Sequence, residues 1–174
     1  MKIGFIGLGN MATAIIGGLL REDTTLSSED GNVTVITAAN IIGSAKTEAT
    51  RQKRAEQFGI AITASNREVA EAADVLVLAV KPQFFPEVIA EIRDAVSANT
   101  LVISIAAGLT LERIAGLFDR NVTAMRLIRC MPNTPSSVGK GVLAISTTDT
   151  VKDEQKKLVE EVLGTVGLVV EVRE

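Results

Sequence analysis

The sequence contains no histidine, tyrosine or tryptophan, and its five phenylalanines are its only aromatic residues. Without imidazole the chain has no Ser-His triad, no histidine proton shuttle and none of the commonest metal ligand. We therefore expect no metal site, and the residues alone identify no catalytic side chain. A bound cofactor is expected to carry the chemistry of such a chain.

Cysteine, excess positive charge and long apolar runs are also scarce. The single Cys130 cannot form an internal disulfide and is expected to be a small buried residue in a cytoplasmic protein. A formal net charge of −3 argues against a nucleic-acid partner, since such proteins present a basic surface. The apolar segments have the length of strands, well short of the ~20 residues that cross a bilayer, so no membrane partner is expected.

Strand-like and helical segments alternate along the 174 residues. The predicted strands are residues 3–6, 33–37, 60–63, 75–80, 101–105, 122–128 and 168–172, with 142–146 as a further candidate. Such alternation predicts an α/β fold with a doubly wound, mostly parallel Rossmann sheet and helices on both faces. We expect residues 1–174 to form one domain.

A glycine-rich loop of the form G-x-G-x-x-G/A, residues 7–12, follows the first predicted strand and opens the first helix. In this pattern Gly7 permits a tight turn, Gly9 lets a pyrophosphate approach the backbone, and a small third residue, Ala12, allows close helix packing. The N–H groups at the start of the helix then bind the anion. A purely structural turn is the alternative, but the order strand, loop and helix favours a dinucleotide site.

The predicted second strand ends at residues 37–40 without an acidic residue. NAD sites place a carboxylate there to bind the ribose 2′-hydroxyl, so its absence favours NADPH, with NADH as the alternative. Asn40 is thereby a candidate cofactor contact. Lys46 and Arg51 either lie near a 2′-phosphate or form a solvated helix face.

Three further segments stand at predicted carboxyl ends of strands, the edge where open α/β sheets bind ligands. They are residues 78–83, 104–108 and 129–135. The small residues 106–108 allow a flat ring to approach the backbone, and two prolines stiffen the loop that presents Asn133 and Thr134. With Met131, these two residues are candidates for the substrate side. Each segment taken alone can also be a simple tight turn.

Together with the glycine loop, these segments closely resemble pyrroline-5-carboxylate reductase over nearly the whole chain. The resemblance implies an enzyme that transfers hydride from NAD(P)H to the C=N bond of the small molecule 1-pyrroline-5-carboxylate, giving L-proline. It also implies a cofactor site formed by Ile6, Gly7, Leu8, Gly9, Asn10, Met11, Asn66, Ala79, Val80, Lys81, Pro82, Ala106 and Ala107. For Asn66 a helix N-cap is the alternative role, and for Lys81 an exposed lysine beside a turn.

The sequence departs from this family in two ways. The helical domain that follows in family members, which forms the dimer and much of the substrate site, has no counterpart here, so we expect only the cofactor-binding part of a homo-oligomeric enzyme. Residues 38–50 also replace what is usually a short polar turn with a longer segment. Two other functions stay open: a non-catalytic NADPH-binding module, and a dehydrogenase of the β-hydroxyacid or 6-phosphogluconate type.

Overall fold

A mostly parallel β-sheet forms the centre of the protein in a computed structural model that describes residues 1–21, 24–28 and 30–174, without the side chains of residues 134 and 137. Among the described residues, ten strands are present: β1 (Ile3–Ile6), β2 (Thr25–Ser27), β3 (Val33–Val35), β4 (Ile41–Ser44), β5 (Ala61–Thr63), β6 (Val75–Leu78), β7 (Leu101–Ser104), β8 (Leu127–Met131), β9 (Gly141–Thr147) and β10 (Gly167–Glu171). Eight of them form the sheet in the order β10-β9-β8-β7-β6-β1-β4-β5. All neighbours in it are parallel except β8 and β9.

Helices cover both faces of this sheet. They are α1 (Asn10–Leu19), α2 (Glu48–Phe58), α3 (Asn66–Ala72), α4 (Phe85–Ile92), α5 (Leu111–Leu117) and α6 (Asp153–Gly164). The alternation of side chains along each strand supplies two apolar layers. In β1, Phe5 packs in the layer with α1 and α6, whereas Ile6 packs in the layer with α3, α4 and α5. The predicted doubly wound α/β fold is therefore confirmed.

The second strand of the sheet is not where the sequence predicted it. Residues 33–35 pair with β2 in a separate antiparallel hairpin, and β4 takes the central position beside β1. The prediction was wrong because it relied on the β-branched side chains of Val33 and Val35, which are typical of sheet strands. In the structure these side chains lie in the hairpin and are 66% and 57% exposed. Ile41, which belongs to the longer segment 38–50, is fully buried in β4.

A glycine in β4 made that strand hard to recognise. A Cβ atom on Gly43 would lie 2.8 Å from Cδ2 of Leu8, so glycine leaves room for the glycine-loop leucine against the sheet. Leu8 is accordingly buried. The strand thus lacks a side chain at the position where the loop packs on it.

The sixth predicted strand, residues 122–128, begins later than expected. Residues Val122–Ala124 form a 3-10 turn capped by the Asn121 side chain, and β8 runs on to Met131. The candidate strand at 142–146 is β9, antiparallel to β8, and the last predicted strand is β10, parallel to β9.

One face of β9 and β10 carries exposed apolar side chains. Val142 is paired with Leu168, and these residues are 49% and 66% exposed; Val170 and Val172 continue the row at 40% and 43%. The helix α6 packs on the other face, where Leu143 and Ile145 are buried with Val159 and Val162. In the described part of the chain, no helix has the length and apolar character that a membrane span requires.

Cys130 is expected to lower the stability of the protein at alkaline pH. It is fully buried in β8, and this burial raises the pKa of its thiol to about 12. The unfolded thiol ionises from about pH 9 while the folded one stays protonated, so the free energy of unfolding falls as the pH rises from about 9 towards 12. The loss is about 1.4 kcal/mol at pH 10 relative to pH 8.

Urea unfolding at pH 8 and pH 10 measures this loss, with Cys130→Ala as the control that lacks the thiol. Lysine titration affects both proteins, so the difference between their pH dependences isolates the cysteine. Identical pH dependences in the two proteins would contradict the prediction. A thiol reagent at neutral pH should also modify Cys130 only after unfolding.

Candidate functional site

The glycine loop joins β1 to α1 with the geometry that the sequence predicted. Gly7 has φ +91° and donates a backbone hydrogen bond to the Ser44 carbonyl over 3.0 Å. A Cβ atom on Gly7 would approach Val80 Cγ1 to 2.9 Å and the Ala79 carbonyl to 3.0 Å. Both the backbone conformation and the close approach to the end of β6 therefore require glycine.

Gly9 differs from Gly7 because its surroundings are open. It is the N-cap residue of α1, and apart from its own neighbours in the chain no atom of the described residues lies within 4 Å of the position that its Cβ would take. In the same part of the chain, no side chain caps this helix. The first N–H groups of the ten-residue α1 are thus accessible, and an N-terminus of this kind binds anions.

A cavity of about 590 Å³ opens in front of this loop, at the carboxyl edge of β1, β4 and β6. It is lined by Gly7, Leu8, Gly9, Ser44, Ala45, Lys46, Thr47, Thr50, Arg54, Ala64, Asn66, Ala79, Val80, Lys81, Phe84, Glu87, Val88 and Glu91. A larger recess of about 810 Å³ lies elsewhere, lined among others by Met1, Asp74 and Leu101 at the amino ends of the strands. We identify the smaller cavity as the candidate site because open α/β sheets bind ligands at the carboxyl edge.

Half of the predicted cofactor residues line this cavity, and several others are their neighbours in the chain. Gly7, Leu8, Gly9, Asn66, Ala79, Val80 and Lys81 line it directly. Ile6 ends β1 beneath the loop, Asn10 and Met11 form the first turn of α1, and Pro82 follows Lys81. Ala106 and Ala107 do not line the cavity; they follow β7, the next strand along the same edge.

Asn40 does not lie at the cavity. It precedes β4 at the amino edge, where its side chain donates to the Met1 carbonyl over 3.1 Å and accepts from the Thr37 N–H over 3.0 Å. Its assignment rested on a second strand ending at residue 37, whereas the true strand begins at Ile41. The carboxyl end of β4 leads into Ala45, Lys46 and Thr47, which also contain no acid.

The Asn66 side chain bridges two walls of the cavity. Its amide oxygen accepts a hydrogen bond from the buried Ser44 hydroxyl over 2.8 Å, and its amide nitrogen donates to Glu91 over 2.7 Å. The N-cap of α3 is Ser65, whose side chain accepts from the Glu68 N–H. The alternative N-cap role for Asn66 is therefore wrong, and its amide is held at the cavity in a fixed orientation.

Two basic residues of α2 point to different places. Arg51 donates from Nη1 to the Ala45 and Lys46 carbonyls, each over 2.9 Å, and it does not line the cavity. Arg54, one turn later, does line it. The sequence left Lys46 and Arg51 as either cations near a 2′-phosphate or a solvated helix face; in the structure Lys46 lines the cavity and Arg51 does not, whereas Arg54 does.

The loop after β8 holds the substrate-side candidates two strands away from β6. Met131 ends β8 and is 46% exposed. The amide oxygen of Asn133 accepts hydrogen bonds from the Val142 N–H over 3.1 Å and from the Ser136 hydroxyl over 3.3 Å. These bonds hold the loop that follows β8 in place. Thr134 begins the 3-10 turn Thr134–Val138, and its side chain lies outside the described part of the chain.

Arg129 connects the end of β8 to the start of α5. Its guanidinium forms an ion pair with Glu174 over 3.0 Å and donates to the Met131 sulfur over 3.1 Å. The same carboxylate accepts from the Leu111 N–H over 3.0 and 3.1 Å. These contacts stabilise the edge of the sheet next to Ala106 and Ala107.

Sequence reasoning missed several residues of the cavity. Correct placement of β4 would have indicated Ala45 and Thr47, because residues that follow a parallel strand lie at the carboxyl edge. Arg54 and Glu91 carry no local signal, since each is an ordinary charged residue on a helix. Only the packing of α2 and α4 around the glycine loop brings them to the cavity.

The chain matches one protein family and is similar to several known proteins. The family described as NADP oxidoreductase coenzyme F420-dependent matches residues 2–108. A pyrroline-5-carboxylate reductase of Vibrio alginolyticus is 38% identical over 168 residues, which are 97% of this chain and 56% of the relative.

Solved structures of pyrroline-5-carboxylate reductases are also similar to this chain. The structure of a pyrroline-5-carboxylate reductase from Coxiella burnetii has a TM-score of 0.84 and 35% identity, over 99% of this chain and 59% of that chain. The Plasmodium falciparum pyrroline carboxylate reductase with NADP bound has a TM-score of 0.75 and 27% identity, over 100% of this chain and 58% of that one. The resemblance predicted from the motifs is thereby confirmed, and the chain spans 56% to 59% of the length of these relatives.

Proposed function

Because the chain belongs to the family described as NADP oxidoreductase coenzyme F420-dependent, we propose that it binds NADPH in the 590 Å³ cavity at the glycine loop. The open surroundings of Gly9 carry this proposal, since a pyrophosphate can reach the N–H groups of α1 only where no side chain stands in the way. The absence of an acid at residues 45–47, directly after β4, supports NADPH over NADH.

The chain's own residues bind and orient the cofactor along the carboxyl edge. Ile6, Gly7, Leu8, Gly9, Asn10 and Met11 form the pyrophosphate cradle. Asn66 binds the adenosine side with an amide that Ser44 and Glu91 orient. Ala79, Val80, Lys81 and Pro82 flank the dinucleotide, and Ala106 and Ala107 leave space for the nicotinamide ring at the end of β7.

The reaction proposed for the whole enzyme is reduction of the C=N bond of 1-pyrroline-5-carboxylate to L-proline. Relatives that carry this activity in their names are 38% and 35% identical to the chain. The bound nicotinamide supplies the hydride, and the protein holds donor and acceptor in register, which contributes a large share of the barrier reduction. Such chemistry requires no histidine, since a protonated imine is already electrophilic. Met131, Asn133 and Thr134 lie on the substrate side.

Residues 1–174 act as the cofactor-binding domain of a cytoplasmic enzyme that is a homo-oligomer in its full-length form. The exposed apolar face of β9 and β10 supports a covering partner, since large apolar patches mark interaction sites. The single buried Cys130 supports a reducing compartment.

Calorimetric titration of the chain with NADPH and with NADH tests the binding proposal. We expect saturable binding of both dinucleotides, with NADPH the tighter. Failure to bind either one would contradict the assignment of the cavity.

A chimera tests the reaction. It joins this chain to the part of the Vibrio alginolyticus relative that lies beyond the matched residues, and it is assayed for proline formation from 1-pyrroline-5-carboxylate and NADPH. Proline formation supports the reductase. A chimera that folds and binds NADPH but forms no proline would overturn the reductase and favour a non-catalytic NADPH-binding module.

A further inference from the structure

Arg54 lies where helix α2 faces the glycine loop. Its Nε donates to the Leu8 carbonyl over 3.4 Å, and its Nη1 donates to the Gln57 side chain over 2.6 Å. The guanidinium is half-buried and lines the cavity together with Lys46, beside the Thr47 and Thr50 side chains. Two hydrogen bonds, one to the glycine loop and one within α2, thus orient this planar cation at the cavity.

The electrostatic surroundings of this cation favour an anionic ligand. No carboxylate stands between Ser44 and Thr47, where an NAD-specific site places one. The acids that line the cavity, Glu87 and Glu91, both belong to α4, and Glu91 already accepts a hydrogen bond from Asn66. Among the described residues, none accepts a hydrogen bond from Arg54 Nη2, which leaves this edge of the guanidinium available.

Arg51 provides a natural comparison one turn earlier on the same helix. Its Nη1 is engaged by two backbone carbonyls, those of Ala45 and Lys46, and its side chain does not reach the cavity. The two arginines have the same charge and nearly the same distance from β4 in sequence. Only one of them faces the space in front of the glycine loop.

We propose that Arg54 is the residue by which this chain distinguishes NADPH from NADH, through contact of its guanidinium with the 2′-phosphate. The inference rests on the proposed binding of a dinucleotide in this cavity. A planar guanidinium binds phosphate oxygens with directed, charge-assisted hydrogen bonds, which a hydrated lysine ammonium matches less well. The bond from Nε to the Leu8 carbonyl holds this cation next to the loop that binds the pyrophosphate, so the 2′-phosphate and the pyrophosphate are bound by neighbouring groups.

Dissociation constants for NADPH and NADH, measured on the same variants, test the proposal. Arg54→Gln is expected to weaken NADPH binding roughly 10- to 100-fold, the loss of one or two charge-assisted hydrogen bonds, and to change NADH binding less than about threefold. Arg54→Lys should restore part of the NADPH affinity, because it keeps the charge without the planar fork. Arg51→Gln is the matched control and should leave the ratio of the two constants unchanged.

Three outcomes would overturn the proposal. If Arg54→Gln weakened the binding of NADPH and of NADH equally, Arg54 would only support the glycine loop. Unchanged NADPH binding in Arg54→Gln would show that Arg54 does not contact the 2′-phosphate. If Arg51→Gln changed the ratio of the two dissociation constants, the 2′-phosphate contact would belong to Arg51. Thermal unfolding of each variant establishes that it is folded, and wild-type protein that binds neither dinucleotide would instead refute the proposed function.

Discussion

Replacement of Gly9 with valine is expected to abolish NADPH binding while the protein keeps its fold. The Cβ position of Gly9 is open in the structure, so a side chain there causes no clash at its Cβ atom. It fills the space through which the pyrophosphate approaches the N–H groups of α1. We expect the dissociation constant to rise at least roughly 100-fold, the equivalent of about 2.7 kcal/mol.

The expected effect on stability is much smaller. Valine is a poor N-cap residue, and its cost relative to glycine at this position is about 1 kcal/mol or less. Circular dichroism and thermal unfolding of Gly9→Val should therefore resemble those of the wild type, whereas titration with NADPH should show no saturation. Unchanged affinity in the folded variant would mean that the loop is a structural turn and binds no dinucleotide.

Replacement of Gly141 with alanine is expected to destabilise the loop that carries the substrate-side residues. A Cβ atom there would lie 1.9 Å from Oγ and 2.7 Å from Cα of Ser136, which is fully buried in the turn Thr134–Val138. A change of the Ser136 rotamer cannot relieve contact with its own Cα, so the turn must move away from β9. We expect a loss of about 2–3 kcal/mol, as for other overpacked sites, and a melting temperature lower by roughly 4–12 °C.

Gly116→Ala is the matched control for this variant. Gly116 lies in α5 and is exposed, and beyond its own helix and chain neighbours no atom of the described residues lies within 4 Å of its Cβ position. Alanine in an exposed helix should stabilise the protein by about 0.5–1 kcal/mol through helix propensity and the entropy of the unfolded chain. Melting temperatures measured side by side test both changes, and a Gly141→Ala protein as stable as the wild type would contradict the packing of the turn against β9.

The sequence predicted the glycine loop because its determinants are local. Gly7 needs glycine for its positive φ and for the nearby end of β6, and Gly9 directly precedes the helix whose N–H groups form the anion site. Strand, loop and helix follow one another along the chain. The spacing of a few residues therefore carries nearly all the geometry of the pyrophosphate cradle.

The position of the second sheet strand could not be predicted in the same way. Residues 33–35 have the β-branched side chains typical of strands, but they form a small exposed hairpin with β2. The segment 41–44 contains a glycine and is short, yet it is buried between β1 and β5. Burial against neighbouring strands decides which segment joins the sheet, and propensity does not report burial. The assignment of Asn40 failed for this reason.

The fold class, the glycine loop, the family resemblance and most residues at the ends of β1 and β6 could be predicted from the amino-acid sequence. Which charged side chains reach the cavity could not, because that depends on how the helices pack. Arg51 and Arg54 have the same chemistry on one helix, and the turn of helix that separates them brings Arg51 to the exit of β4 and Arg54 to the glycine loop. Glu91 reaches Asn66 from α4 across 25 residues of sequence. Contacts of this kind depend on how the helices pack on the sheet. That packing results from many contacts between distant segments, so no single segment of the sequence predicts it.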